Sequence, residues 1–145
     1  MDDVWKYFIN PGAVDEDCFP YDKTSHECLT KCKNGDPWIV YKAKNYKEFS
    51  NIDDIKNELY ENGYVNTVFT VYSDFMNYKS GIYEHKEGYF MGGHFVTIVG
   101  WGVENGVHYW IIQNSWGRNW EKMVSLELNL DNVELILELL LVFQF

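Results

Sequence analysis

No stretch of this 145-residue chain is apolar for long enough to cross a bilayer. The Leu-rich end, "LELNLDNVELILELLLVFQF", is interrupted by Glu127, Asp131, Glu134 and Glu138, and its longest clean apolar run is Leu139 to Phe143. A membrane span needs roughly 20 such residues. Basic residues are scarce as well: 12 Lys and Arg against 22 Asp and Glu leave a net charge of −10. No basic patch is present to neutralise phosphates, so nucleic acid is not an expected partner. The N-terminal "MDDVWKYF" lacks a basic stretch followed by an apolar core and does not read as a secretory signal. Cysteines number only three, Cys18, Cys28 and Cys32. Zinc would need further ligands at short spacing and only His26 is near, so a disulfide is expected rather than a metal. An odd count leaves one thiol without an internal partner. No cofactor is expected, and no internal repeat is present.

What the chain does have is apolar mass: 46% hydrophobic residues, 18% of the total aromatic. That composition and length suit one globular domain with a real core. Residues 2–9 suit a short helix stopped by Pro11-Gly12. Residues 15–37 read as loop, and 38–43, "WIVYKA", as a short strand. Residues 52–62 form the clearest helix. Ser50 or Asn51 caps it, Asp53 and Asp54 sit in its first turn, Ile52, Ile55 and Leu59 follow one face, and Gly63 ends it. "VNTVFTVY", residues 65–72, reads as a buried strand, followed by a turn-rich link through Gly81. Two more strands, His94 to Trp101 and Val107 to Asn114, flank Asn105-Gly106, a strong hairpin-turn signal. A helix followed by strands in antiparallel hairpins predicts an α+β fold with a β-barrel-like arrangement.

The hairpin carries the chemistry. With its turn near Asn105, His94 and Asn114 fall at matching open ends of the two strands, within a slip of one or two residues. An Asn oxygen accepts an imidazole N–H, fixes the tautomer, and leaves the other ring nitrogen free to serve a nucleophile. Gly92 and Gly93 leave room for a close approach. Trp116 is placed to cover the His–Asn bond. The competing interpretation is a hydrogen-bonded core histidine beside a strand-end turn former.

"MGGHFVTIVGWGVENGVHYWIIQNSWG" resembles the His–Asn region of papain-like cysteine peptidases, and within them the cathepsin B group. "VYSDFMNYKSGIYEH" resembles the segment that precedes that His, and "DCFPYDKTSHECLTKC" the Cys-rich loop. The resemblance runs from about Trp5 to Trp120. It implies that His94 is the catalytic His, that Asn114 orients it and that Trp116 shields the pair. It also implies that Gly93 and Phe95 line the substrate cleft, and that Cys18 pairs with Cys32 while Cys28 meets a Cys elsewhere. The remaining histidines, His26, His85 and His108, receive no role. The implied activity is peptide-bond hydrolysis on a peptide or protein substrate, in a lysosome-like vacuole or outside the cell.

The nucleophile itself has no match. In papain-like enzymes it lies about 130–150 residues before the His and Asn, and that distance from His94 runs past Met1. No "CGSCW"-like string occurs. By resemblance the nucleophile, the oxyanion-hole Gln and the helical lobe belong to an N-terminal partner lobe. What remains is the β-rich lobe, expected to be inactive alone. Only the short "DKTSHECLTKC" stands where cathepsin B carries an occluding loop with a His pair, so endopeptidase action is expected over carboxydipeptidase action. Tyr64 replaces a common Pro at the surface. A second class of function remains open: a non-catalytic peptide-binding or regulatory lobe.

After Trp120 the resemblance stops. Relatives continue with a "G-E-x-G-F-F" type strand, where this chain reads "EKMVSLELNLDNVEL". One base added after the Trp120 codon, with permitted codon choices, lets the same DNA read "GENGFFRIKFGQCGI". Residues 121–145 are therefore expected to be a frame-shifted or mis-spliced tail, not selected to pack on residues 1–120 and dispensable for their stability. The alternative is a genuine amphipathic helix.

Overall fold

The computed structural model describes residues 2–22, 24, 27–116, 125–129 and 135–141. His26, Trp120 and residues 121–124, 130–134 and 142–145 of the tail lie outside them. The chain divides into two compact units, one within Met1–Tyr46 and one within Lys47–Val142.

In the first unit, helix α1 (Asp2–Ile9) buries Trp5, which is 3% exposed. Gly12 N–H donates to Tyr7 O at 2.7 Å and closes the helix end. Cys18 and Cys32, both buried, are joined by a disulfide, the pairing the resemblance implies; Cys28 is free and exposed. The strand expected over 38–43 reduces to a single bridge, Ala13 with Tyr41. Trp38, Ile39, Val40 and Tyr41 are all exposed. A β-prone run forms a strand only when a neighbouring strand takes its hydrogen bonds, and here the backbone bonds go to Ala13 and, from Ala43 N–H, to Phe8 O.

The second unit is a six-stranded sheet with a helix packed on it. Helix α2 (Ile52–Asn62) begins at Asn51, whose side chain accepts from Asp54 N–H at 2.8 Å, and ends at Gly63, whose N–H donates to Leu59 O. Ile55 and Leu59 are buried on its inner face, but Ile52, in the first turn, is exposed. The strands are β1 (Val65–Tyr72), β2 (Ile82–Tyr83), β3 (Phe90–Glu104), β4 (Val107–Gln113), β5 (Ser125–Asn129) and β6 (Leu135–Leu141). Their order across the sheet is β2-β5-β4-β3-β1-β6, all antiparallel except β2 with β5. The architecture is α+β, as expected. Strand β3 begins at Phe90, earlier than alternation alone suggests, because β1 is long enough to pair with it as far as Tyr72–Phe90.

The core comprises Ile55, Leu59, Val65, Phe69, Val71, Phe75, Tyr83, Val96, Ile98, Trp110, Ile112 and Leu128. One of these comes from the tail. Strand β5 pairs with β4 from Tyr109–Asn129 to Gln113–Ser125, and Leu128, opposite Trp110, is fully buried. Strand β6 pairs with β1. These segments are strands rather than the amphipathic helix considered above, and β5 packs on β4. The reason is local: Ser-Leu-Glu-Leu-Asn alternates with the period of a strand, and β4 offers it a free edge.

Candidate active site

The site is assembled by side-chain parity. Successive residues of a strand point to opposite faces. On β1, Val65, Thr67 and Phe69 face the core; opposite them in register stand Ile98, Val96 and His94 of β3. On β4, Trp110 and Ile112 face the core, and Asn114 follows with the same parity. The two strands would not bring these faces together from the turn alone. Asn105 and Gly106 both have positive φ, 51° and 83°, and near the turn Trp101 opposes Trp110. Continued unbroken, that register would oppose Ile112 with Val99. Instead the register shifts between Ile98 and Gly100, so Ile98 opposes Ile112. The extra residue, Val99, is exposed. This bulge puts Val96, Ile98 and His94 on the face of Ile112 and Asn114.

At that end of the sheet, His94 Nε2 lies 2.8 Å from Asn114 Oδ1. Ser115 N–H also donates to Oδ1 at 2.8 Å, which identifies this atom as the amide oxygen. An oxygen only accepts, so Nε2 carries the proton and Nδ1 is left as the basic nitrogen. Asn114 is 9% exposed, and its Nδ2 has no hydrogen-bond acceptor among the described residues. Aromatic rings enclose the imidazole: Trp116, with ring centroid at 4.8 Å and tilted 39°, and Phe69, edge-on at 5.7 Å.

Of the residues singled out from the sequence, His94, Asn114 and Trp116 come together. Gly93 and Phe95, adjacent to His94 along β3, have the opposite parity, and Phe95 is 43% exposed. Gly93 has a packing reason that spacing did not reveal: a Cβ there would come within 2.9 Å of Val68 Cγ1. Sequence reasoning missed Phe69 and Phe75. The signal for Phe69 was its place in the buried run of β1, but its partner across the ladder is set only by register.

The segment that precedes β3 is tied down by one carboxylate. Asp74, in the 3-10 helix Ser73–Asn77, accepts from the Tyr83 hydroxyl at 2.7 Å, Lys86 N–H at 3.0 Å and Glu87 N–H at 3.4 Å, with His85 Nδ1 at 3.2 Å. Burial opposes ionisation of Asp74, but those hydrogen bonds outweigh it and hold its carboxyl well below the usual range. Burial, with the Asp74 bond and charge, pushes the Tyr83 phenol well above its ordinary value. His85 also stacks on Tyr72 at 3.6 Å, which gives this histidine a packing role. His108, opposite Val103, is exposed.

The fold and the His–Asn pair define a class, and the comparisons agree with it. The profile of the papain family cysteine proteases matches residues 1–133, past the point at which the quoted motifs end. The chain belongs to that family. Within it the likeness is to cathepsin B-like proteins. Cathepsin B-like CP2 of Giardia intestinalis is 39% identical over 127 residues, covering 83% of this chain and 42% of that protein. A gut-specific cysteine proteinase of Caenorhabditis elegans is 42% identical over 106 residues, 70% of this chain and 32% of the relative. The structure of proCathepsin B S9 from Trypanosoma congolense superposes with a TM-score of 0.86 at 30% identity, covering 99% of this chain and 52% of that one. The chain thus spans under half the length of these two relatives. Among the described residues no helix is long and apolar enough to cross a membrane.

Proposed function

We propose that this chain is the β-rich half of a cathepsin B-like cysteine peptidase and supplies its general base. The observation that carries the reading is the Nε2–Oδ1 bond of His94 and Asn114, which leaves Nδ1 basic. In the complete machine a Cys thiol from the partner lobe gives its proton to His94 Nδ1 as its sulfur attacks the substrate carbonyl. The imidazolium then protonates the leaving amine. Water, deprotonated by the same nitrogen, releases the acyl group and restores the thiol. Asn114 holds the ring through both steps, and Trp116 keeps water from the bond. Gly93 and Phe95 belong to the cleft wall on this reading. The short loop between Pro20 and Cys32 favours endopeptidase over carboxydipeptidase action on peptide or protein substrates, in a lysosome-like vacuole or outside the cell.

Residues 121–145 are, on the same reading, translated from a shifted frame. The recovered text places Phe, Phe, Arg, Ile and Lys where the chain has Ser125, Leu126, Glu127, Leu128 and Asn129. Both texts are apolar at 126 and 128. That coincidence accounts for an out-of-frame segment that still adds a strand to β4.

The test is a fluorogenic dipeptide assay. Loss of the nucleophile alone costs on the order of 10⁶ in turnover, about 8 kcal/mol. The purified chain is therefore expected to give no turnover. Mixed with the N-terminal lobe of a cathepsin B-like relative, it should recover activity that His94→Ala abolishes. Peptide binding without turnover in that mixture would favour a regulatory lobe. Inhibitor-sensitive turnover by the chain alone, lost in Cys28→Ala, would overturn the assignment.

A further inference from the structure

We propose that Phe75 is a positioning residue for the His94–Asn114 pair, acting through the two rings that enclose the imidazole. The inference rests on the reading of His94 as the general base. Phe75 is fully buried in the 3-10 helix after β1. It meets Phe69 edge-on, with centroids 5.1 Å apart and planes at 76°. It meets Trp116 edge-on as well, at 5.6 Å and 67°. Phe69 and Trp116 are in turn the rings against His94. One buried side chain therefore sets the pose of both walls.

The physical need is clear. A single hydrogen bond fixes one point of the His94 ring, and the terminal torsion of a histidine is broad. Rotation about that point would swing Nδ1 away from a nucleophile while leaving Nε2 near Asn114. Flanking rings restrict the swing, provided they are themselves held. Phe69 is held by full burial in β1, but Trp116 is only partly buried. The Phe75 ring supports it from within the core. Phe75 is anchored in its turn: Tyr83 packs edge-on against it at 4.8 Å and donates its hydroxyl to Asp74, the neighbouring residue.

The test reads the His94 Nε2 proton by NMR in the full chain, with Asn114→Ala as the assignment control. A structural role alone would lower stability without loosening this proton selectively. In Phe75→Leu, which keeps apolar bulk but loses the ring plane, solvent exchange of the Nε2 proton is expected to speed up about tenfold, the scale of one lost ring contact. Phe75→Tyr, which keeps the ring, is expected to restore the wild-type rate. Phe49→Leu, the same change in a residue packed on the same core, is expected to leave it unaltered. If Phe75→Leu does not fold, Phe75→Met replaces it with the same expectation. A folded Phe75→Leu or Phe75→Met chain with wild-type exchange overturns the inference, and so does equal loosening by Phe49→Leu. Absence of the bonded Nε2 proton from the unmodified chain overturns the general-base reading itself, before any substitution at Phe75 is made.

Discussion

Replacing Asp74 tests whether one carboxylate holds the segment that leads into β3. Its Oδ1 takes the Tyr83 hydroxyl, and its Oδ2 takes the N–H groups of Lys86 and Glu87; His85 Nδ1 lies 3.2 Å from each oxygen. These bonds are unequal. Tyr83 is 5% exposed, so its hydroxyl, left without an acceptor, forfeits about 1–3 kcal/mol. Lys86 and Glu87 are exposed enough for water to replace the carboxylate at little cost. The His85 contact, with both side chains partly in solvent, is worth under about 1 kcal/mol. Asp74→Ala should therefore lose about 3 kcal/mol in denaturant unfolding at neutral pH. Asp74→Asn, which keeps one acceptor oxygen, should lose about half of that.

Acid supplies the sharper reading. The folded-state pKa of Asp74 lies below its unfolded value. Its ionised form therefore adds stability that is fully present above about pH 4, the unfolded value, and is lost as pH falls through the lower folded value. The gap between the unsubstituted chain and Asp74→Asn should be constant from pH 7 to pH 5 and shrink below pH 4. A gap unchanged down to pH 2, or an Asp74→Ala chain within about 0.5 kcal/mol of the original, would refute this account.

Thiol titration of the oxidised monomer should find one free cysteine, Cys28, with Cys18 and Cys32 bonded; no free thiol would contradict the pairing. Deleting residues 121–145 should lower the melting temperature, because it removes fully buried Leu128, a loss on the scale of about 2–5 kcal/mol for an emptied leucine site. An unchanged melting temperature would return the tail to the status of a passenger. Deleting Val99 alone should remove the bulge but keep Ile98 opposite Ile112, so His94 should stay on the face of Asn114 and retain its NMR coupling to it; a lost coupling would refute the parity argument.

Much of the fold was legible because its signals are local. The cap at Asn51, the stop at Gly63 and the Asn105-Gly106 turn are matters of a few neighbouring residues, and each stands where the sequence puts it. "WIVYKA" misled for the opposite reason: strand propensity is intrinsic, but a strand needs a partner, and the partner is decided elsewhere in the chain. The strands of the tail were not legible, because a short alternating peptide forms one only where an open edge such as that of β4 takes its hydrogen bonds. The aromatic enclosure of His94 was hidden in another way. Phe69 and Phe75 lie over 15 residues upstream; the β1–β3 register sets Phe69 opposite His94, and Phe75 joins through Phe69 and Trp116.

The His–Asn pair depends on a feature that the sequence does not announce. A hairpin counted outward from Asn105 puts His94 near Asn114 only to within a residue or two, and a slip of one residue reverses every side chain. The bulge at Val99 settles that ambiguity. It is fixed in turn by burial, since the alternative register would expose Ile98 or Ile112, both now fully buried. Keeping one such side chain out of water is worth about 1.5–3 kcal/mol, more than the loss at one irregular ladder position. The face to which His94 points is thus enforced by the core rather than by the pair's own hydrogen bond. On the proposed reading of His94 as the base, its setting lies within the Lys47–Val142 unit, so the orientation of Nδ1 does not have to be established when a nucleophile arrives.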